Sequence, residues 1–303
     1  MKKMLVWLAA PRPQFFTAAV IPVALGAAIA WDRTGSVSWA NFYLTMAGAV
    51  LSQAGLNLTN DYYDFLSGDD VINKTPTPFS GGSRLLPNGV LKPAQVLTAG
   101  ITCFFLTAAI GLYLVYATKG YLLFLFGGIG IFLAFFYTAS PLKIGYTKMG
   151  EAATGIGFGP LMVLGSYYVQ TGKLSWEPFF ASLPVGILIA LVLFINEFPD
   201  YEADKATGKR NTVVSIGKYR ASNIYAWLIM SAYAVLVAGA AAGVFPAASL
   251  IILLTLPMAV TAAVTARSNY GKIKELLPAN ALTVIVHFSF GLLFTLSYMW
   301  GRK

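Results

Sequence analysis

The sequence predicts an all-α integral membrane protein with about nine transmembrane helices. Of its 303 residues, 57% are hydrophobic and only 11% are charged, and the mean hydropathy is +0.68. A soluble domain of this length would carry far more charge on its surface. Apolar stretches of about 20 residues, the length that crosses about 30 Å of hydrocarbon, recur along the whole chain. No separate soluble domain is visible, so residues 1–303 are predicted to form a single transmembrane domain.

The predicted spans follow one another with connections that are mostly short. They are residues 14–31, 37–60, 96–117, 120–139, 151–171, 177–198, 222–243, 246–266 and 279–300. The longest connection, about 61–95, is rich in Pro and Gly. It is too polar to span a membrane and long enough to form a cap over a site.

The basic residues alternate between the two sides of this predicted topology. With the N-terminus inside, sixteen Lys and Arg residues fall on cytoplasmic segments and five on the other side, a count that includes the terminal Lys2, Lys3, Arg302 and Lys303. This bias follows the positive-inside rule and predicts a multi-pass cell-membrane protein whose N-terminus is cytoplasmic. Because the basic residues follow alternate loops instead of forming one patch, topology and the lipid bilayer account for the net charge of +9, and nucleic acid is not an expected partner.

The single cysteine, Cys103, and the single histidine, His287, limit the possible chemistry. They exclude a disulfide within the chain, a Cys/His zinc site and a pair of haem-ligating histidines.

Eight of the twelve acidic residues lie in two short segments. The first acidic segment is residues 57–70 and the second is residues 196–205, each at the predicted cytoplasmic end of a span. Residues three or four apart on a helix share a face. The resulting polar stripes are Asn57, Asp61 and Asp64, then Asn60 and Asp64, and in the second segment Asn196, Asp200 and Asp204.

Carboxylates stacked in this way repel one another and need a compensating cation. Two matched Asn-x3-Asp elements make a merely solvated helix end a poor explanation. Oxygen ligands without His or Cys favour a hard cation, Mg²⁺ above all, which completes its shell with water and substrate phosphate. A metal-bridged diphosphate is therefore a natural ligand for the two segments. Nearby cations, Arg84 after one Gly-rich turn and Lys209 and Arg210 after Gly208, are suited to hold phosphate oxygens.

The two segments also suggest an internal repeat. Asn60 to Asp64 matches Asn196 to Asp200 in spacing, 136 residues apart, and each precedes a loop with Gly and basic residues. The pattern predicts two pseudo-repeated four-helix halves plus a ninth helix.

These motifs resemble the two signature motifs of the UbiA superfamily of intramembrane prenyltransferases, and the likeness runs along nearly the whole chain. It includes Arg12-Pro13, the segments 81–89 and 137–143, and Gly208-Lys-Arg-Asn-Thr212. Within the superfamily the chain is most similar to the MenA branch, which prenylates 1,4-dihydroxy-2-naphthoate in menaquinone biosynthesis. The Gly68-Asp69-Asp70 ending of the first motif, Gly150-Glu151 and the run 159–162 carry that likeness.

The resemblance implies a fold and a set of site residues. The helices would surround a central cavity with a side opening toward lipid for a polyprenyl diphosphate tail, beside a small aromatic acceptor. The implied metal ligands are Asp64, Asp70, Asp200 and Asp204, with Asp69 as an alternative to Asp70. The implied diphosphate ligands are Arg12, Asn60, Arg84, Lys143, Asn196, Lys209 and Arg210. Tyr137 would lie close to the reacting allylic carbon.

The implied reaction is physically consistent. Metal and cations neutralise the leaving diphosphate, and the allylic carbocation needs a dry pocket with electron-rich faces. An electron-rich hydroxylated ring then attacks, and Asp61 or Glu197 accepts the phenolic proton. The predicted catalytic residues are Asp61, Asp64, Tyr137 and Asp200.

Two kinds of alternative stay open at this point. The same metal site would serve a 4-hydroxybenzoate, homogentisate, chlorophyllide or glyceryl phosphate acceptor. From a different class, an ion-coupled transporter also carries intramembrane carboxylates, although it would hold them near the membrane midplane and not at one face.

Overall fold

The computed structural model describes residues 2–300, apart from the side chains of Lys2 and Lys3. The side-chain charges of Lys2, Lys3, Arg302 and Lys303, which entered the topology prediction, therefore lie outside the described part of the chain. Within the described residues every regular element is helical, which confirms the all-α prediction. The helices are α1 (Lys2–Ala9), α2 (Thr17–Thr34), α3 (Trp39–Ser67), α4 (Asp69–Ile72), α5 (Pro93–Thr118), α6 (Leu122–Phe136), α7 (Gly150–Ile156), α8 (Met162–Thr171), α9 (Trp176–Ala206), α10 (Thr212–Ile216), α11 (Lys218–Ala241), α12 (Leu256–Asn269) and α13 (Ile273–Trp300). A π-helical turn, Gly157–Leu161, joins α7 to α8, and a 3₁₀ segment, Ala247–Thr255, leads into α12.

Several helices are long and apolar enough to cross a membrane, so the chain is a multi-pass membrane protein. Five described segments meet that condition, namely α5, α9, α11, Ala247–Asn269 and α13, and a sixth is the pair Met4–Phe15 and Thr17–Thr34, bent by 58°. The prediction of nine spans is not confirmed, although helices form at all nine positions. Three fall short for separate reasons: α3 carries several polar residues, α6 has only 15 residues, and α7 is separated from α8 by the π-helical turn.

The helix α3 continues seven residues beyond the predicted span, so the first acidic segment is helical almost to its end. Gly68 then ends the helix with a φ of 85°, a conformation that favours glycine. The short helix α4 starts at once on the other side of this glycine. The predicted loop of 61–95 therefore begins only after residue 72.

The main core lies among α2, α8, α9 and α11 to α13. Close approach of backbones depends on glycine at a few points. A Cβ on Gly159 would lie 2.8 Å from the Cα of Gly186, and one on Gly291 would overlap the side chain of Ile21. In contrast, α5 and α6 expose large apolar side chains such as Phe105 and Phe124, the surface expected of helices that face lipid.

This packing brings the two acidic segments together. The helix α4 packs against α9, so the end of α3 lies beside the end of α9. The connections 73–92 and 207–211 close over the same place.

Candidate active site

A cavity of about 180 Å³, here called the inner cavity, lies where the two acidic segments meet. It is bounded by α3, α4 and α9, by the connection 73–92 and by the segments that follow α6. Most residues predicted for the site line it. They are Arg12, Asn60, Asp64, Asp69, Asp70, Tyr137, Asn196, Asp200, Asp204 and Lys209.

The densest group of carboxylates comes from the first acidic segment. One carboxylate oxygen from each of Asp64, Asp69 and Asp70 lies within 4.8 Å of the others, and all three side chains are buried. The turn at Gly68 makes this arrangement possible, because it ends α3 and lets α4 start in contact with it. Asp69 and Asp70 both line the inner cavity, so the choice between them stays open.

Lys209 is the buried cation at the centre of this group. Its Nζ lies 2.5 Å from Asp69, 3.1 Å from Asp64 and 3.3 Å from Asp204, and so joins the two acidic segments. Burial alone would lower the pKa of Lys209, but these carboxylates outweigh burial and hold the pKa well above its ordinary value. The side chain is therefore a fixed ammonium group.

Asp70 is held differently. Burial raises the pKa of Asp70 to about 8, and the negative charges of Asp64 and Asp61 add to the effect. Arg84, which adopts a left-handed φ of 63°, donates to the Asp70 carbonyl oxygen and so fixes the backbone instead of neutralising the side chain. A Cβ on Gly82 would lie 2.4 Å from an Asp70 carboxylate oxygen, so this close approach requires glycine.

Tyr146 and Asn60 orient the carboxylate of Asp64. The Tyr146 hydroxyl donates to Asp64 Oδ1 at 2.8 Å and lies 3.0 Å from the Ser67 hydroxyl. The Asn60 amide donates to Asp64 Oδ2 at 3.0 Å, and Arg12 in turn donates to Asn60 Oδ1 at 3.1 Å. Both oxygens of Asp64 are therefore held by donors before any ligand binds.

The second acidic segment is held by residues from outside its own helix. Asp200 accepts from the Asn73 amide at 2.7 Å and from the Gly81 backbone N–H at 3.1 Å. Asp204 accepts from the Asn211 amide at 2.7 Å, and the same Asn211 caps α10. Asn73 and Gly81 lie in the connection 73–92, so this segment covers the cavity as the predicted cap would.

Tyr137 lies at the inner end of the cavity, beside Thr154 and Phe158. A Cβ on Gly145 would lie 2.5 Å from the Tyr137 ring, so a residue without a side chain is needed there. Tyr137 and Phe158 make this part of the wall more aromatic than the acidic end, and Thr154 and Glu197 are its polar members.

Four residues predicted for the site do not line the inner cavity. Asp61 instead lies 3.4 Å from the Arg12 guanidinium and accepts from the Ser83 N–H at 3.1 Å. Arg210 is exposed, and its backbone N–H donates to the Tyr146 carbonyl oxygen. The Nζ of Lys143 lies 5.2 Å from the centre of the Tyr146 ring. The fourth, Arg84, contacts the Asp70 backbone as described.

Sequence reasoning missed side chains that hold the carboxylates, among them Tyr146, Asn73, Thr207 and Asn211. Asn211 follows Lys209 and Arg210 directly, and its place in that short polar run was a usable signal. Tyr146 lies 82 residues from Asp64. No local pattern marks a pairing of that kind.

The donor set fits a divalent cation. Asp64, Asp69, Asp70 and Asp204 are all buried, whereas Lys209 is the buried cation among them. Buried carboxylates in such excess over cations are costly, and carboxylate oxygens without His or Cys suit a hard metal ion. A diphosphate held by that ion would meet Lys209, Arg12 and Asn60 on the same wall.

Comparison with known proteins gives one family. The profile of the UbiA prenyltransferase family matches residues 19–298. The chain is 30% identical over 298 residues, 98% of its length and 94% of the relative, to the 2-carboxy-1,4-naphthoquinone phytyltransferase of Synechocystis. It is 32% identical to the 1,4-dihydroxy-2-naphthoate octaprenyltransferase of Mycobacterium tuberculosis over 90% of its length and 89% of the relative. A UbiA homologue from Archaeoglobus fulgidus, solved with DMAPP and Mg²⁺, shares the fold with a TM-score of 0.64 at 17% identity, over 95% of this chain and 98% of that one.

Proposed function

The chain belongs to the UbiA prenyltransferase family and is a prenyltransferase, and we propose that it transfers a polyprenyl group from its diphosphate to 1,4-dihydroxy-2-naphthoate in menaquinone biosynthesis. The observation that carries the proposal is the meeting of two acidic segments and one buried lysine in a single cavity with an aromatic inner end. The naphthoate acceptor is supported by relatives at about 30% identity that are named for naphthoate substrates and match at least nine-tenths of this chain.

The proposed metal is Mg²⁺, the ion bound with DMAPP in the Archaeoglobus fulgidus homologue. Its ligands would be Asp64 and Asp70, or Asp69 in place of Asp70, from the first segment, with Asp200 and Asp204 from the second. When bound, Mg²⁺ supplies positive charge that favours departure of the diphosphate. Hydrogen bonds from Asn60 and Tyr146 already orient the Asp64 carboxylate, so its side chain needs little reorganisation when the metal binds.

Lys209, Arg12 and Asn60 are the proposed diphosphate ligands that already line the inner cavity. Lys209 is charged, buried and close to three carboxylates. Its ammonium group would stabilise the negative charge that builds up on the leaving diphosphate as the C–O bond breaks. Asn196 also faces the cavity, where the Asn280 amide donates to its oxygen at 2.8 Å. Arg84, Lys143 and Arg210 do not line the inner cavity, so we propose that they add positive charge near the diphosphate without contacting it.

The aromatic end of the inner cavity is the proposed place of bond formation. Tyr137 and Phe158 offer electron-rich faces to an allylic cation and exclude water that would capture it. The polyprenyl tail would continue between helices toward lipid, and the naphthoate ring would approach the cation from the wall near Tyr137.

We also propose how the protein lies in the membrane. Residues 1–303 would form one domain of nine spans in two related halves plus a last helix, in the cell membrane. The N-terminus and the acidic ends of α3 and α9 would be cytoplasmic, a placement supported by the distribution of basic residues.

The test is prenyl transfer by the purified protein in detergent or lipid, with a polyprenyl diphosphate, 1,4-dihydroxy-2-naphthoate and either Mg²⁺ or EDTA. We expect prenylated naphthoquinol only with Mg²⁺ and its loss in Asp64→Ala and Asp200→Ala. Glu202→Gln, which changes an exposed carboxylate on the same helix as Asp200, is the matched control and should behave as the parent.

Transfer to another aromatic or lipid alcohol but not to the naphthoate would overturn the acceptor and keep the reaction. Equal transfer in EDTA would overturn the metal. Cation-coupled uptake of a solute into vesicles, without transfer to any acceptor, would instead favour a transporter.

A further inference from the structure

Glu197 is a buried carboxylate that the metal site does not use. It lies on α9 between Asn196 and Asp200, is only 7% exposed and lines the inner cavity near Tyr137. Its Oε2 meets no hydrogen-bond donor. Apart from the carboxyl group of Glu151, no side chain or backbone donor compensates this oxygen, so a ligand with a donor group would be bound favourably there.

Glu151, on the first turn of α7, is the nearest partner of this group. The carboxyl groups of Glu151 and Glu197 interact across the contact between α7 and α9. Glu151 Oε1 accepts from the Thr212 N–H at 3.2 Å, but its Oε2 meets no N–H or hydroxyl donor. Two carboxyl groups can bond to each other only if at least one is protonated, and a pair that shares a single proton keeps one negative charge and can accept another proton.

Glu151 and Glu197 lie in the wall that separates the inner cavity from a second cavity. Glu197 faces the inner cavity, whereas Glu151 lines a separate apolar groove of about 410 Å³ between α7, α9 and α11, together with Lys148 and Thr212. A proton shared by the pair is therefore held beside the inner cavity within a wall that is otherwise largely apolar.

Asp61, the other proton acceptor considered from the sequence, is less well placed. It does not line the inner cavity, it lies 3.4 Å from the Arg12 guanidinium, and its second oxygen accepts from Ser83. Its Oδ1 meets no hydrogen-bond donor but lies beside the positive charge of Arg12, and its Oδ2 is already hydrogen-bonded, so Asp61 is turned away from the inner cavity.

From this geometry, and resting on the proposed function, we propose that Glu197, positioned by its pairing with Glu151, accepts the hydroxyl proton of the aromatic acceptor. As the ring attacks, its π electrons form the new C–C bond and the allylic C–O electron pair leaves with the diphosphate. The O–H pair becomes the second bond of a ring carbonyl, and the proton moves to Glu197. When the ring carbon then loses its carboxylate as carbon dioxide, the electron pair of that C–C bond restores the aromatic ring, and the carbonyl oxygen takes the proton back from Glu197.

The test compares Glu197→Gln with Asp61→Asn and with Glu202→Gln as the exposed control on the same helix. A positioned general base contributes about 10²- to 10⁴-fold to the rate. We expect Glu197→Gln to lower kcat by about 10²-fold or more, while Glu202→Gln keeps the parent rate. Diphosphate binding, measured with a non-reactive analogue, should stay unchanged and would report a folded site.

A second readout separates proton acceptance from structure. When the pH is raised through the pKa of the acceptor hydroxyl, the acceptor ionises in solution and no longer needs a base. Glu197→Gln should therefore recover with rising pH relative to the parent. The charged and titratable groups that face Glu197 are Tyr137, Glu151, Asp204 and Lys209, and all are retained in the variant.

The pairing is tested by a double variant. Glu151→Gln with Glu197→Gln should cost no more than Glu197→Gln alone, because the two groups act as one unit. Two outcomes would overturn this inference and leave the proposed function intact. One is a Glu197→Gln variant as active as a normally active parent, and the other is a large loss in Asp61→Asn that high pH restores. A parent with no transfer to any hydroxylated ring would overturn the proposed function itself.

Discussion

The two acidic segments are alike in sequence but are built differently. In the first, Gly68 breaks the helix after Ser67, and α4 returns Asp69 and Asp70 to the side of Asp64. In the second, α9 runs unbroken to Ala206, so Asp200 and Asp204 stay one turn apart along a single face.

The difference explains where each segment finds its partners. The first segment brings three of its own carboxylates together at one turn, and Lys209, Tyr146 and Thr207 hold two of them, Asp64 and Asp69. The second needs Asn73, Gly81 and Asn211 from two connections to hold its carboxylates. Equal spacing of the motif therefore does not mean equal roles. We assign the main metal cluster to the first segment, and we assign to the second segment the hydrogen bonds that hold the connection 73–92 over the cavity.

The largest expected effect comes from removing the central carboxylate of the cluster. Asp64→Asn should lower the rate of prenyl transfer by about 10³-fold, about 4 kcal/mol in the transition state, because Asp64 contacts Lys209, Tyr146 and Asn60 at once. Asp200→Asn should cost less, about 10²-fold, because the remaining oxygen can still accept from the cap. Single-turnover product formation measures both, and equal losses would contradict the assignment of unequal roles.

The next effect is on stability. Lys209→Met leaves Asp64, Asp69 and Asp204 without their shared cation, and should destabilise the metal-free protein by about 3 kcal/mol. Mg²⁺ should recover part of the loss, since it would replace the missing charge. Thermal unfolding in EDTA and in Mg²⁺ measures this. Lys205→Met, an exposed lysine at the end of α9, is the control and should unfold like the parent in both buffers.

A smaller effect tests the turn that makes the segments differ. Gly68→Ala forces a side chain into a left-handed conformation at a cost of about 1 kcal/mol, with no steric contact within 4 Å. Gly172→Ala creates the same kind of strain at the end of α8, also in open space. We expect similar losses of stability, but a drop in activity of about tenfold only for Gly68→Ala, through displaced Asp69 and Asp70. Equal activities would mean that the turn does not set the cluster.

The smallest expected effect concerns the hydroxyl that orients Asp64. Tyr146→Phe removes a hydrogen bond worth about 1 kcal/mol, so transfer should fall about fivefold. Tyr225→Phe removes a buried hydroxyl bonded to Thr283 in the main core and should leave the rate unchanged. Steady-state rates at saturating substrates, with a melting curve for each variant, distinguish an effect on the site from an effect on the fold.

Helix positions and the acidic segments could be predicted because they depend on local properties. Apolar runs of spanning length and a stripe of Asn and Asp at helical spacing leave the chain few other structures. The count of nine spans was less secure, because α3 mixes apolar length with polar residues of the site. The family likeness added the diphosphate ligands, of which Arg12, Asn60, Asn196 and Lys209 line the inner cavity.

A helical membrane protein with two acidic segments that need a cation follows from the amino-acid sequence, because composition and periodicity act over a few turns. That Lys209 enters the cluster while its neighbour Arg210 faces solvent depends on the packing of distant segments. The same packing decides that Tyr146 reaches Asp64 from 82 residues away, and that Asp61 turns to Arg12 while Glu197 faces the inner cavity. These outcomes depend on how distant helix ends and connections meet, and a pairing between distant segments leaves no periodic signal in either one.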